Sequence, residues 1–160
     1  MNNGKQNIAY IDGANLHNGC KDLGFNLDYK KFRVWLTEKF KVSRAYVFIG
    51  LVPRYANLYE HLQEAGYTLI FKETIYGSEG KIKGNCDADL VLHAVRDSYE
   101  GSLSSAVLVS SDGDYASLVR FLIEKNHFKT IISPSNKCSI LLRRINCPIV
   151  YLDQVKKMFQ

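Results

Sequence analysis

What most constrains this chain is a repeated switch between two hydrophobic rhythms: short β-branched or aromatic runs alternate with longer segments whose apolar residues recur every three or four positions. Ile8 to Ile11, Ala45 to Ile49, Thr68 to Phe71, Ala106 to Val109, Thr130 to Ile132 and Ile149 to Leu152 read as strands. Between the first two, Asn15 to Leu23 reads as a brief helix closed by Gly24. Asp28 then caps a helix through Phe40, with Phe32, Trp35, Leu36 and Phe40 on one stripe. A further helix begins at Pro53, whose missing N–H is not needed there, and ends near Gly66. Another runs from Asp87 to Gly101 with Val91, Leu92, Val95 and Tyr99 on one face. Later helices carry Leu118, Val119, Leu122 and Ile123, then Ser139 to Ile145, then a last turn from Asp153. The polar stretch Gly77 to Gly84 has no apolar pattern beyond Ile82 and reads as a mobile loop.

Strands alternating with helices stack as βαβ units, whose parallel sheet must be covered on both faces. The expected fold is therefore doubly wound α/β in three layers. At 160 residues, without repeat, linker or low-complexity tract, residues 1–160 are expected to form a single domain. The composition, 46% hydrophobic and 23% charged, excludes disordered, collagenous and coiled-coil chains. The longest nearly apolar stretch, Ala45 to Val52, is 8 residues, against roughly 20 for a membrane span. Met1 to Asn7 holds no apolar signal core. These features predict a cytoplasmic protein with no membrane partner. Cys20, Cys86, Cys138 and Cys147 form no Cys-x-x-Cys pair, so neither zinc nor a disulfide framework is expected. Residues 1–114 carry 13 Lys and Arg against 14 Asp and Glu, whereas residues 115–160 carry 8 against 2, so the net charge of +5 is carboxy-terminal. That asymmetry suits a polyanionic partner or a solvated surface.

In an open parallel sheet, ligands bind outside the carboxyl ends of the strands where strand order reverses. Two strand ends deliver acids: Asp12 after Ile11, and Asp112 with Asp114 after Val109. Turn and cap preferences explain either motif alone. If the two strands are neighbours, three carboxylates meet, and a divalent cation is the usual compensation for such crowding. Oxygen donors favour Mg²⁺ or Mn²⁺, and a hard cation there suits phosphodiester hydrolysis. No glycine-rich phosphate loop and no Gly-x-Ser-x-Gly elbow is present.

Three ordered blocks then resemble the signature of NYN domains of the LabA-like type, in the PIN-like ribonuclease superfamily. They are Ile11-Asp12-Gly13-Ala14-Asn15-Leu16, Lys83-Gly84-Asn85-Cys86-Asp87, and Val107 to Tyr115 followed by Leu118-Val119. The resemblance spans about residues 7–153. It implies strand order 3-2-1-4-5 and metal-dependent cleavage of single-stranded or structured RNA. It makes Asp12, Asp87, Asp112 and Asp114 the catalytic and metal-binding acids, with Asn15 matching the asparagine after the first. Two departures stand out. Ser111 replaces a glycine beside Asp112, and His93 stands where family members often carry another acid, a charge Asp89 could replace only in part. A weaker site follows from both.

Candidate substrate contacts are Asn15, Ser110, Ser135, Lys137 and Arg143. Ser133 to Lys137 opens at the same sheet edge and, with the helix after it, forms a candidate phosphate cradle or an ordinary turn. Arg144 extends that basic run, His17 and Asn18 border the crevice, and Tyr76 and Tyr115 are candidates for stacking on bases. The expected protein is a metal-dependent endoribonuclease with RNA as partner. A homodimer or protein partner is compatible with the chain and specified by nothing in it. The rivals are a catalytically weak RNA-binding module and, less well matched, a Toprim-like enzyme or phosphatase.

Overall fold

The protein is described by a computed structural model, in which residues 4–72, 75–76, 82–83 and 86–160 are described. Eight strands and seven α-helices follow in the order β1 (Gln6–Asp12), α1 (Gly13–Asp22), α2 (Tyr29–Phe40), β2 (Val42–Gly50), α3 (Ala56–Glu64), β3 (Tyr67–Lys72), β4 (Ile75–Tyr76), β5 (Ile82–Lys83), α4 (Asp87–Tyr99), β6 (Leu103–Val109), α5 (Ala116–Glu124), β7 (Phe128–Ser133), α6 (Ile140–Arg143), β8 (Ile149–Tyr151) and α7 (Leu152–Val155). Six strands form one parallel sheet in the order β3-β2-β1-β6-β7-β8. Numbered within that sheet the order is 3-2-1-4-5-6. This is the expected doubly wound arrangement, and the sixth strand read from the sequence, Ile149–Tyr151, extends the implied order 3-2-1-4-5 at the edge.

The strand sequences read as continuous apolar runs because both faces are covered. Ala9, Ile11, Ala45, Val47, Val107 and Val109 point to one core, with Leu16, Phe32, Leu36 and Leu62 from α1, α2 and α3. Their neighbours Ile8, Tyr10, Tyr46, Phe48, Ala106 and Leu108 point to a second core, with Leu90, Ala94, Val119 and Leu122 from α4 and α5. The two-residue period of a strand thus divides one hydrophobic run between two interiors. Fully buried Phe159 closes the first core against Phe32 and Trp35, and its carbonyl accepts the Asp28 N–H at 2.7 Å.

Most local signals fold as read. Asp28 caps α2 by accepting the Lys31 N–H at 3.0 Å. Pro53 opens a 3-10 turn, Pro53–Tyr55, that leads into α3. Gly66 and Gly101 follow their helices with positive φ. Other boundaries differ: α1 begins at Gly13, ahead of the expected Asn15, because Asp12 is its cap. The expected loop Gly77 to Gly84 lies mostly outside the described residues. Within it, Ile82–Lys83 pairs antiparallel with Ile75–Tyr76. Among the described residues, no helix is long and apolar enough to cross a membrane.

Gly19 sets how closely α1 meets the loop after β7. A Cβ there would lie 2.9 Å from the backbone carbonyl carbon and oxygen of Pro134. Helix propensity alone predicts that Gly19→Ala gains about 1 kcal/mol. Overpacking against backbone costs about 1–3 kcal/mol and should dominate. Urea unfolding is expected to show net destabilisation; a stabilised variant would mean that the loop yields freely.

Candidate metal centre and substrate crevice

Winding reverses at β1: the chain builds outward to β2 and β3, then crosses back to lay β6 on the other side. Parallel register pairs Ile11 with Val109, so the residues that follow both strands emerge side by side at one sheet edge. Asp12 ends β1 and Asp112 follows β6 by three residues. Asp87 reaches the same place from the start of α4. One oxygen of each of these three carboxylates lies within 4.8 Å of the others. They line a crevice of about 410 Å³ with Asn15, Asn18, Cys86 and the end of β2.

The acids are held in place individually. Asp12 is 9% exposed, and its side chain accepts the Asn15 N–H at 3.1 Å, capping α1. Asp112 caps the next turn, accepting the Asp114 N–H at 2.9 Å, while its own N–H donates to the Ser110 hydroxyl at 3.1 Å. Capping and clustering therefore coexist in the same residues. Asp87 is the first residue of α4, not its cap; Cys86 occupies that position without a capping bond from its side chain.

Tyr115 ties the cluster together. Fully buried, its hydroxyl lies 2.8 Å from an Asp87 oxygen and 3.1 Å from an Asp12 oxygen, so one proton is shared between two carboxylates. Burial and then the acids push this hydroxyl far above the ordinary tyrosine range and keep it protonated. Asp12 is itself raised, first by burial, then by Asp87 and Asp112, against the opposing hydrogen bonds from Asn15 and Tyr115. Tyr115 is thus a donor to carboxylates, and its buried ring is not available for the stacking expected of it. A buried tyrosine needs a partner for its hydroxyl, and that requirement was the signal available in the sequence.

The remaining candidates divide. Asn15 accepts the Ser111 N–H at 3.0 Å and the Ser111 hydroxyl at 3.1 Å, linking α1 to the turn after β6. The hydroxyl that departs from the family pattern is therefore directed to Asn15. Ser110 is fully buried and holds the Asp112 backbone; it presents no surface to a substrate, contrary to expectation. Asp114 is exposed and stands outside the triplet. His93 packs on Tyr46 and Phe48 with centroids 5.2 and 5.4 Å away and accepts from Arg96, while burial and Arg96 lower its pKa. It does not line the crevice.

Ser135 accepts the Lys137 N–H through its hydroxyl at 3.0 Å. Lys137, Arg143 and Arg144 are exposed, and the Arg143 side chain donates to the Cys138 carbonyl at 3.0 Å. None of these four lines the acidic crevice. The segment still abuts it, because the Ser139 N–H donates to the Ser111 carbonyl at 3.1 Å. The Tyr76 side chain lies outside the described residues.

The donor set fits a hard divalent cation: three carboxylates and no soft ligand in the triplet. Nearby Cys86 is pushed up to about 11 by burial and the acids around it, which keeps it a thiol at neutral pH. A doubly wound parallel sheet with carboxylates gathered where its winding reverses places the chain among three-layer α/β proteins. Residues 8–146 match the family model of the NYN domain, and the chain belongs to that family within the PIN-like nuclease superfamily. A solved structure of a protein of unknown function from Vibrio parahaemolyticus RIMD 2210633, VPA0982, shares the fold, with TM-score 0.77 and 24% identity over 98% of this chain and 97% of that one. No curated protein matches the chain.

With Asp12 raised, the folded protein holds its proton more tightly than the unfolded chain, so stability falls as pH rises from the ordinary aspartate range through the raised value. Without divalent metal, Asp12→Asn, which caps equally well, should therefore be more stable than wild type at pH 7.5 and lose that advantage as pH is lowered. Tyr115→Phe should cost about 1.5–3 kcal/mol at pH 7.5, the range for hydrogen bonds to charged groups. Denaturant midpoints across pH check both; equal stability of wild type and Asp12→Asn at every pH would show the carboxylate to be unstrained.

Proposed function

We propose that this chain is a cytoplasmic endoribonuclease acting as one NYN unit over residues 1–160, hydrolysing RNA phosphodiester bonds with Mg²⁺ or Mn²⁺ held by Asp12, Asp87 and Asp112. The observation that carries this reading is the triplet itself, three carboxylates within 4.8 Å in an open crevice. When bound, a divalent cation neutralises charge on the scissile phosphate and activates water for in-line attack. The protein supplies the rest. Asn15 and Tyr115 fix Asp12, Tyr115 also orients Asp87, and Ser110 fixes the Asp112 backbone. Asp114, exposed beside Asp112, is the fourth acid of the proposal. Asn15 and Asn18 face the incoming strand from α1. Lys137 and Arg143, with Ser135, attract its phosphates from the next loop.

His93 favours a second reading. The family resemblance puts an acid at its position, and its ring is packed against Tyr46 and Phe48. A centre limited to the triplet could bind RNA and cleave it poorly.

The test is incubation of purified protein with single-stranded and structured RNAs in Mn²⁺, Mg²⁺ or EDTA. Cleavage is expected with either ion and none in EDTA, and Asp112→Asn should slow it at least about 100-fold without lowering Tm. Binding without cleavage in any ion would leave the binding-module reading. Replacing Lys137, Arg143 and Arg144 together by Ala should flatten the slope of log affinity against log salt by roughly 1–2 units, since each phosphate contact contributes about 0.7. An unchanged slope would make these charges ordinary solvated surface.

A further inference from the structure

Beside the acidic crevice lies a second, more enclosed pocket of about 350 Å³, lined by α1, β2 and α3. The two share Ala14, Ile49 and Gly50, so they adjoin along the start of α1 and the end of β2. Resting on the RNA reading above, we propose that this pocket seats an unpaired nucleobase of the RNA strand whose phosphate lies at the triplet.

Its walls are mostly hydrocarbon and aromatic, with Leu16, Val47 and Leu62 among them, and its size falls within the roughly 300–1,000 Å³ of small-molecule sites. Of the lining residues, Tyr55 and Leu58 are each at least 40% exposed, as are Leu51, between the lining residues Gly50 and Val52, and Phe71, whose ring centroid lies 4.9 Å from that of Tyr59. These are four of the ten exposed large hydrophobic residues among the described residues. The guanidinium of Arg54 lies 5.0 Å from the Tyr55 ring centroid and donates to its hydroxyl at 3.2 Å. The rim therefore pairs a flat aromatic face with a cation, while the neighbouring crevice is built for a hard metal. An apolar seat with an aromatic and an arginine at its rim, beside a candidate metal site, matches a base and the phosphates that flank it in a single strand. An acidic or purely apolar partner would leave one of these elements unmatched.

Few polar groups face the pocket, as a site that fixes orientation requires. The Tyr59 hydroxyl is occupied, donating to the Gly50 carbonyl at 3.1 Å and accepting the Val52 N–H at 3.0 Å, which fixes the wall that both pockets share. His17 and Tyr29 also line the pocket and supply groups for a base edge. Paired bases have both faces stacked and their edges engaged, so a duplex cannot fill the pocket.

The test is fluorescence anisotropy at low salt in EDTA, using an eight-nucleotide single-stranded RNA and a set of oligonucleotides each carrying one abasic position. A base stacked on protein is worth about 1–3 kcal/mol, so one abasic position should weaken binding about 5- to 150-fold and the others far less. Tyr55→Ala should weaken the intact RNA by a similar factor and erase that position dependence, and Tyr55→Trp should retain both. Leu58→Trp, which narrows the pocket, should act like Tyr55→Ala. Uniform loss at every abasic position, equal affinity for a duplex, no binding of any single strand, or an unaffected Tyr55→Ala protein would overturn the proposal. Measurement in EDTA separates it from catalysis. Position-dependent binding by a protein that never cleaves in Mn²⁺ supports the pocket and overturns the nuclease reading, whereas cleavage with uniform abasic loss overturns the pocket alone.

Discussion

Crowding of like charges at the sheet mouth is the constraint around which the rest of this structure is organised. Three carboxylates within 4.8 Å, one of them nearly buried, repel one another and lose hydration. Their position is nonetheless over-determined. Two of them cap the turns that leave β1 and β6, so helix starts supply N–H donors to Asp12 and Asp112. The Tyr115 hydroxyl shares its proton between Asp12 and Asp87 from inside the second core. The scaffold tolerates the repulsion by surrounding it with fixed donors, and this leaves a centre whose remaining deficit is positive charge.

The fold makes that arrangement possible through its winding. Because β1 is central and β6 returns to its free side, two strand ends separated by about a hundred residues emerge as neighbours. The two cores on opposite faces make the sheet rigid, and the close contacts of Gly19 with Pro134 and of Gly113 with Ser139 bring the loop after β7 against the turn that carries Asp112. Asn15 ties α1 to Ser111 across the same gap. The catalytic reading and the base pocket both depend on this edge, one on the β6 side of α1 and the other on its β2 side.

Strand and helix order was legible because the hydrophobic rhythm changes with each element, and Asp12 and Asp112 were legible because strand ends in such a sheet are where ligands bind. Asp87 was found through the resemblance alone, since it enters from a helix start and no strand points to it. Side-chain direction was the part that could not be read. Ser110 looked like a substrate contact and is buried under Asp112; Tyr115 looked like a stacking platform and is a buried donor. Both follow the same strand, and how the turn rotates after it decides which residue faces the crevice. The base pocket was illegible for a different reason: α1, β2 and α3 each contribute part of it, and no local pattern marks the space between them.

The most direct test of the central claim, that the triplet is a divalent-cation site of the folded state, is the melting temperature as a function of Mn²⁺ for wild type and for Asp12→Asn. A ligand that binds only the folded protein adds about 2.7 kcal/mol at 100 times its Kd. For a chain of this size that corresponds to a rise of about 5–10 °C in wild type. Asp12→Asn should show a much smaller rise at the same concentration. Melting curves unmoved by millimolar Mn²⁺ in wild type, or moved equally in both proteins, would contradict it.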